Sequence, residues 1–157
     1  MKHTLSIIVN NQAGVLTRIA GLFNRRGFNI DSITVGRTEE QGLSRMTIVV
    51  QGDQRLVEQV KKQLHKQIDV HKVMDITNEP MVARELIMIK VKASPTTLQE
   101  ITNLIEPFRA AVIDVAHSTI TIQATGNEEK LNAIIELLRP YGIKDLVRTG
   151  FAAIQRG

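Results

Sequence analysis

His3-Thr4-Leu5-Ser6-Ile7-Ile8-Val9-Asn10-Asn11-Gln12-Ala13-Gly14-Val15-Leu16-Thr17-Arg18-Ile19-Ala20-Gly21-Leu22-Phe23 changes its apolar period once. Over residues 3–10, Leu5, Ile7 and Val9 alternate with their neighbours, the pattern of a strand with one buried face. From residue 14 the period lengthens: Val15, Ile19, Leu22 and Phe23 share a helix face, and Gly27 stops a helix read over about 14–26. Outward from there, a strand over 28–37, a turn region Thr38-Glu39-Glu40-Gln41-Gly42 and a strand over 43–51 make a hairpin, with Met46, Ile48 and Val50 alternating. Asp53 stands where it can cap a helix carrying Leu56, Val57, Val60 and Leu64 on one face, and a strand over 68–76 follows. The order is βαββαβ.

The same order repeats in the second half. Thr77-Asn78-Glu79-Pro80 interrupts the periodicity. A strand over 84–93 precedes Ser94-Pro95, which opens a helix bearing Leu98, Ile101, Leu104, Ile105 and Phe108, ended by Glu106-Pro107. Strands over 110–116 and 119–125 turn at His117-Ser118. Asn127 caps a helix with Leu131, Ile134, Ile135 and Leu138 on one face, and a strand over 143–149 closes the unit. The expected class is α+β: two ferredoxin-like βαββαβ units in tandem, over 1–77 and 84–157, joined by a linker at 78–83. Right-handed crossovers put both helices of a unit on one face of its antiparallel sheet and leave the other face bare. A unit of this size buries little core, so association is the expected remedy, and an obligate homodimer is anticipated.

Composition narrows the function. The 157 residues are 43% hydrophobic and 23% charged, as in an ordinary globular protein, and Ile and Val make up 33 of them, which favours sheet. No run approaches the roughly 18 apolar residues of a spanning helix, and the chain enters its first strand without a leader, so a cytoplasmic location is expected. The absence of cysteine removes disulfides, thiolate metal sites and cysteine nucleophiles. Residues 1–78 hold 11 Lys/Arg against 7 Asp/Glu and residues 79–157 hold nine of each, so the net +4 belongs to the first half. Its charges are dispersed, and four Phe with one Tyr and no Trp offer little for base stacking, so no nucleic acid is expected.

Searching for chemistry finds little. No G-x-S-x-G, P-loop, H-E-x-x-H, EF-hand or G-x-G-x-x-G is present. His3, His65, His71 and His117 form no i, i+4 pair and read as no metal site; Glu39-Glu40 falls in a turn and Glu128-Glu129 in a helix's first turn, where acids suit the dipole. The segment Val9-Asn10-Asn11-Gln12-Ala13-Gly14-Val15-Leu16 makes the most unusual demands. Glycine and asparagine stand where the chain turns into a helix whose first N–H groups could receive a carboxylate. The residues alone equally allow an ordinary turn, with Asn11 as cap and Gly14 required by the backbone.

Asn11-Gln12-Ala13-Gly14-Val15-Leu16, Ile19-Ala20-Gly21-Leu22-Phe23 and Arg25-Arg26-Gly27-Phe28-Asn29-Ile30-Asp31-Ser32-Ile33-Thr34-Val35-Gly36 closely resemble the regulatory small subunits of acetolactate synthase, also called acetohydroxyacid synthase. The first run is the signature of amino-acid-binding ACT domains; the last is much narrower. Arg84-Glu85-Leu86 and Lys144-Asp145-Leu146-Val147-Arg148-Thr149-Gly150 extend the resemblance over essentially the whole chain. It implies that the first unit is an ACT domain and that this chain has no catalysis and no cofactor of its own. Thiamine diphosphate, a divalent metal and FAD would sit in a catalytic large subunit, which this chain would bind, activate and make sensitive to valine in branched-chain amino-acid synthesis. Carried over by residue, Asn11, Gln12, Ala13, Gly14, Val15 and Leu16 would line one side of a valine site between two chains, and Asn29 and Ile30 the other. The second unit's loop, Lys92-Ala93-Ser94-Pro95, lacks this signature, and no effector site is expected there. Two rivals remain: an amino-acid-responsive ACT-type gene regulator, which would need a DNA-reading element before Leu5, and an acylphosphatase-like enzyme, which would need an arginine in the loop, whereas Arg18 stands in the helix.

Overall fold

A computed structural model describes residues 1–157. Two compact units divide it: Met1–Val82 together with Phe151–Gly157, and Ala83–Gly150.

The first unit runs β1 (Lys2–Asn10), α1 (Val15–Arg25), β2 (Asn29–Arg37), β3 (Leu43–Gln51), α2 (Gln54–His65) and β4 (Val70–Asp75). Its antiparallel sheet has the order β2-β3-β1-β4, with Leu5 opposite Ile48 and Ile33 opposite Ile48 on the other side. The period change at residue 14 is realised as expected. Leu5, Ile7 and Val9 of β1 and Met46, Ile48 and Val50 of β3 are buried against Val15, Ile19, Leu22 and Phe23 of α1 and Val57, Val60 and Leu64 of α2. Asp53 caps α2 by accepting from Arg55 N–H at 2.8 Å. Phe23 and Phe28 meet edge to face, their centroids 6.0 Å apart. A Cβ on Gly52 would lie 2.0 Å from Phe28 Cε1, so only glycine lets that ring seat.

The second unit contains β5 (Met81–Lys92, from Ala83 onward), α3 (Pro95–Ile105), a 3-10 turn at Glu106–Phe108, β6 (Ala111–Val115), β7 (Thr119–Gly126), α4 (Glu128–Leu138), a 3-10 turn at Arg139–Tyr141 and β8 (Ile143–Arg148). The strand order is β6-β7-β5-β8. Ile87, Ile89, Val91, Ile101, Ile105, Ile120, Ile122, Leu131, Ile134 and Leu138 form its core. Asn127 caps α4, accepting from Lys130 N–H at 2.9 Å. The two runs quoted from this half meet in one clip. Glu85, its side chain 3% exposed, accepts from Arg148 Nε at 2.9 Å and from Gly150 N–H at 2.9 Å.

The end of the chain departs from expectation. Residues 78–83 are not a free linker, because β5 already begins at Met81; and residues 151–157 do not belong with 84–150. A ninth strand, β9 (Ala152–Gln155), packs with the first unit, pairing with β5 while Arg156 N–H donates to Pro80 O at 2.8 Å. Gly150, at φ +86°, breaks the extended run after β8, and the four residues beyond are too few to show a period. Just before β9, Phe151 N–H donates to Ser32 Oγ at 2.9 Å and its carbonyl accepts from Thr34 Oγ1 at 3.1 Å. Ser32 and Thr34 alternate with the core-packed Ile33, so the tail lies on the sheet face that was expected to be bare.

Candidate functional site

Four residues link β1 to α1. Asn11 N–H donates to Gly42 O at 2.8 Å and Gln12 N–H to Asn10 O at 3.0 Å, fixing the start of the loop. Gly14 takes the N-cap position at φ +85°, a conformation that L side chains adopt with strain. Asn11 is therefore not the cap. No side chain caps α1, whereas Asp53, Ser94 and Asn127 cap the other three helices. The first-turn N–H groups of α1 thus carry the positive end of the helix dipole with no side-chain acceptor, which suits an incoming carboxylate. Asn11, Gln12, Ala13 and Gly14 are exposed and Leu16 is half-exposed. Val15 differs: its side chain lies in the core, so only its main chain can face the loop.

A polar network unseen in the sequence braces this corner. Asp69, almost fully buried, accepts from the Arg18 guanidinium and from Asn10 Nδ2 at 3.4 Å, and its carbonyl accepts from Asn10 N–H at 2.8 Å. Asn10 Oδ1 in turn lies 2.6 Å from His71 Nε2. The Arg18 hydrogen bond holds the Asp69 carboxyl below its usual range against the opposing pull of burial, with Asn10 and the Arg18 charge helping. Arg18 Nη1 also stands 3.1 Å from where a Cβ on Gly14 would be. The partners are 51 to 61 residues apart in sequence, so no local spacing could have disclosed them.

The other half of the expected site is not beside the loop. Asn29 opposes Gln51, which opposes Lys2, whereas Asn10 opposes Leu43 at the far end of β1. Eight residue steps of strand separate these ends, roughly 26 Å. Within one chain the structure does not bring Asn29 and Ile30 to the residues 11–16. Asn29 is exposed and Ile30 half-buried against the core. Both belong to β2, an edge strand whose outer side pairs with nothing.

Elsewhere the chemistry is spare. At the corresponding loop of the second unit, Ser94 Oγ accepts from Thr97 N–H at 3.2 Å and Thr97 Oγ1 accepts from Ser94 N–H at 2.7 Å, a capping box that already satisfies the amides an anion would need. His3 is buried with Nε2 3.2 Å from Gly52 O, and His117 is exposed in its turn. Glu128 and Glu129 occupy the first turn of α4. No three His, Asp or Glu side chains gather as a metal site, and no helix is long and apolar enough to cross a membrane.

Known proteins match along the whole length. Residues 5–72 fit the model of the small-subunit-like ACT domain of acetohydroxyacid synthase, and residues 84–157 the model of the small subunit of acetolactate synthase. The acetolactate synthase small subunit of Bacillus subtilis is 54% identical, covering 100% of this chain and 92% of its own. That of Aquifex aeolicus is 49% identical over 99% of this chain and 81% of its own. Among solved structures, the acetolactate synthase small subunit of Thermotoga maritima superposes with a TM-score of 0.92 at 42% identity, covering 100% of this chain and 98% of that one.

Proposed function

Because this chain belongs to the family of acetolactate synthase small subunits, we propose that it binds the catalytic large subunit, raises its activity and makes it subject to inhibition by L-valine. The observation that carries the effector reading is the uncapped start of α1, entered through a left-handed Gly14. There the N–H groups of the first turn receive the valine carboxylate, close approach being possible because Gly14 has no side chain. Asn11, Gln12, Ala13 and Leu16 surround it, and Val15 contributes its main chain.

The ammonium and isopropyl groups need the other half. Asn29 and Ile30 lie at the opposite end of the sheet from their own loop, so they serve the loop of a second chain. A two-fold homodimer that pairs β2 antiparallel with its copy brings the start of one β2 beside the end of the other, at the loop end of the sheet. The Asn29 amide oxygen accepts from the ammonium, and Ile30 with Leu16 offers apolar contact. This pairing also removes an open sheet edge. Selectivity among branched side chains is modest, since one methylene in an apolar pocket is worth about 1–3 kcal/mol. Leucine and isoleucine compete weakly.

Thiamine diphosphate, the divalent metal and FAD belong to the large subunit in this reading. The chain works in the cytoplasm as a dimer, by coupling valine binding to the partner's activity, with a coupling free energy of about 1–3 kcal/mol. Isothermal titration of the purified chain with L-valine, against D-valine, lysine and leucine, tests the site. Saturable heat with L-valine, weak heat with leucine and none with lysine is expected. Heat indistinguishable between L-valine and lysine would overturn it.

A further inference from the structure

Most close charge pairs in this chain are local or buried: Lys61 with Glu58 at 3.4 Å, Arg139 with Glu136 at 2.9 Å, Arg148 with Glu85 at 2.8 Å, and Arg18 with Asp69. One cluster of the first unit has no such match. An open cleft of about 600 Å³ along one side of α2, which Arg26 reaches from just beyond α1, is lined by Arg26, Gln59, Lys62, Gln63, His65 and Lys66. No carboxylate lines it, and none pairs with Arg26, Lys62 or Lys66. Arg26 Nη1 reaches Gln59 Oε1 at 3.5 Å, linking the end of one helix to the side of the other.

Part of this charge answers α2 itself. Lys66 follows α2, so the negative end of that helix lies here, whereas α1 runs antiparallel to α2 and ends, before Arg26, at the opposite end of the sheet. That end of α2 is equivalent to roughly −0.5 charge, against three permanent cations. A surplus of more than two positive charges is left, part of the +4 that the first half of the sequence carries. The neighbourhood is not wholly polar. Ile68, two residues beyond Lys66, is 94% exposed, the most exposed large apolar side chain of the chain.

We propose that this cleft is the docking surface for an acidic segment of another protein, and, resting on the reading of the chain as a regulatory subunit, that the segment belongs to the catalytic large subunit. Arg26, Lys62 and Lys66 meet its carboxylates, Gln59 and Gln63 offer amide donors and acceptors to its main chain, and Ile68 gives it an apolar contact. A nucleic acid would have no aromatic side chain to stack on in this cleft, and it has little use for an exposed isoleucine. Charges arranged in this way steer association and fix register more than they add affinity, so the contact is salt-sensitive.

The test measures binding and activation of the large subunit by the full chain, at low and at high salt, for wild type, Lys62→Glu/Lys66→Glu, Lys62→Arg/Lys66→Arg and Ile68→Asp. The charge reversal is expected to raise the dissociation constant at least about tenfold at low salt and to flatten the salt dependence, with the arginine pair close to wild type. Ile68→Asp weakens binding as well. L-valine titration of each variant serves as the control for folding and stays unchanged. Charge-reversed protein that binds the large subunit like wild type overturns the docking surface and leaves the regulatory reading intact. Wild type that fails to bind the large subunit overturns that reading and the docking surface with it. A duplex oligonucleotide bound by wild type and lost in the charge reversal, while large-subunit binding is retained, would reassign the cleft to nucleic acid.

Discussion

In the proposed valine site, Gly14 has to satisfy backbone and ligand together. An aspartate there would adopt φ +85° at some cost, place its Cβ 3.1 Å from Arg18 Nη1, and set a negative charge where a carboxylate is to be received. Gly14→Asp is expected to raise the valine concentration for half-inhibition at least about tenfold while activation of the large subunit persists, as activity assays across a valine series will show. Asp69 stands one step back, accepting hydrogen bonds from Asn10 and Arg18 on either side of the loop. Asp69→Asn is expected to weaken valine binding about fivefold, the worth of one net hydrogen bond. Its pH dependence has a definite sign. The folded-state pKa is depressed, so the carboxylate's stabilisation is fully present above about pH 4 and is lost as pH falls from there through the folded value; the stability gap between wild type and Asp69→Asn in urea titrations should close on acidification. Tyr141 has the opposite sign. Its hydroxyl donates to Glu100 Oε1 at 2.7 Å, which raises its pKa, so Tyr141→Phe removes a stabilisation present below about pH 10 and lost above it. Of these residues only Gly14 was legible beforehand. Its neighbours spell a recognisable loop, whereas Asp69 reaches Arg18 and Asn10 through strand pairing that no local pattern encodes.

Elements were legible where their period was long. Alternation over β1 and β3 and helical spacing over α1 and α4 fixed which side chains face inward, as did the spacing over α2 except at Leu56, which is 37% exposed, and the caps Asp53, Ser94 and Asn127 stand where turn chemistry put them. β9 escaped because four residues after a left-handed glycine show neither period nor cap, and its membership of the first unit depends on Ser32 and Thr34, more than a hundred residues earlier. A chain ending at Gly150 loses both of those hydrogen bonds. It should be less stable by about 2 kcal/mol, or lower in Tm by roughly 4–8 °C, by calorimetry. On the opposite side of the hypothesis stands the edge of β2, where Val35 is 49% exposed. Val35→Glu would put two like charges near the two-fold axis of the proposed dimer, and sedimentation equilibrium should show its dissociation constant raised at least about tenfold.

For the whole molecule the decisive feature is distance. The loop at residues 11–16 and the strand start at Asn29 lie at opposite ends of one sheet, so a valine site that uses both is a property of two chains. Dimerisation and valine binding then support each other. By reciprocity, any influence of valine on large-subunit association must reappear as an influence of the large subunit on valine affinity. The shared site is tested most directly by mixing two defective chains, Gly14→Asp and Asn29→Ala, each unable to bind valine as a homodimer. In a mixed dimer one site takes its loop from the Asn29→Ala chain and its strand start from the Gly14→Asp chain, and is intact. Calorimetric titration of an equimolar, re-equilibrated mixture should recover about a quarter of the wild-type number of sites at wild-type affinity. A mixture as silent as its components would contradict a site built from two chains.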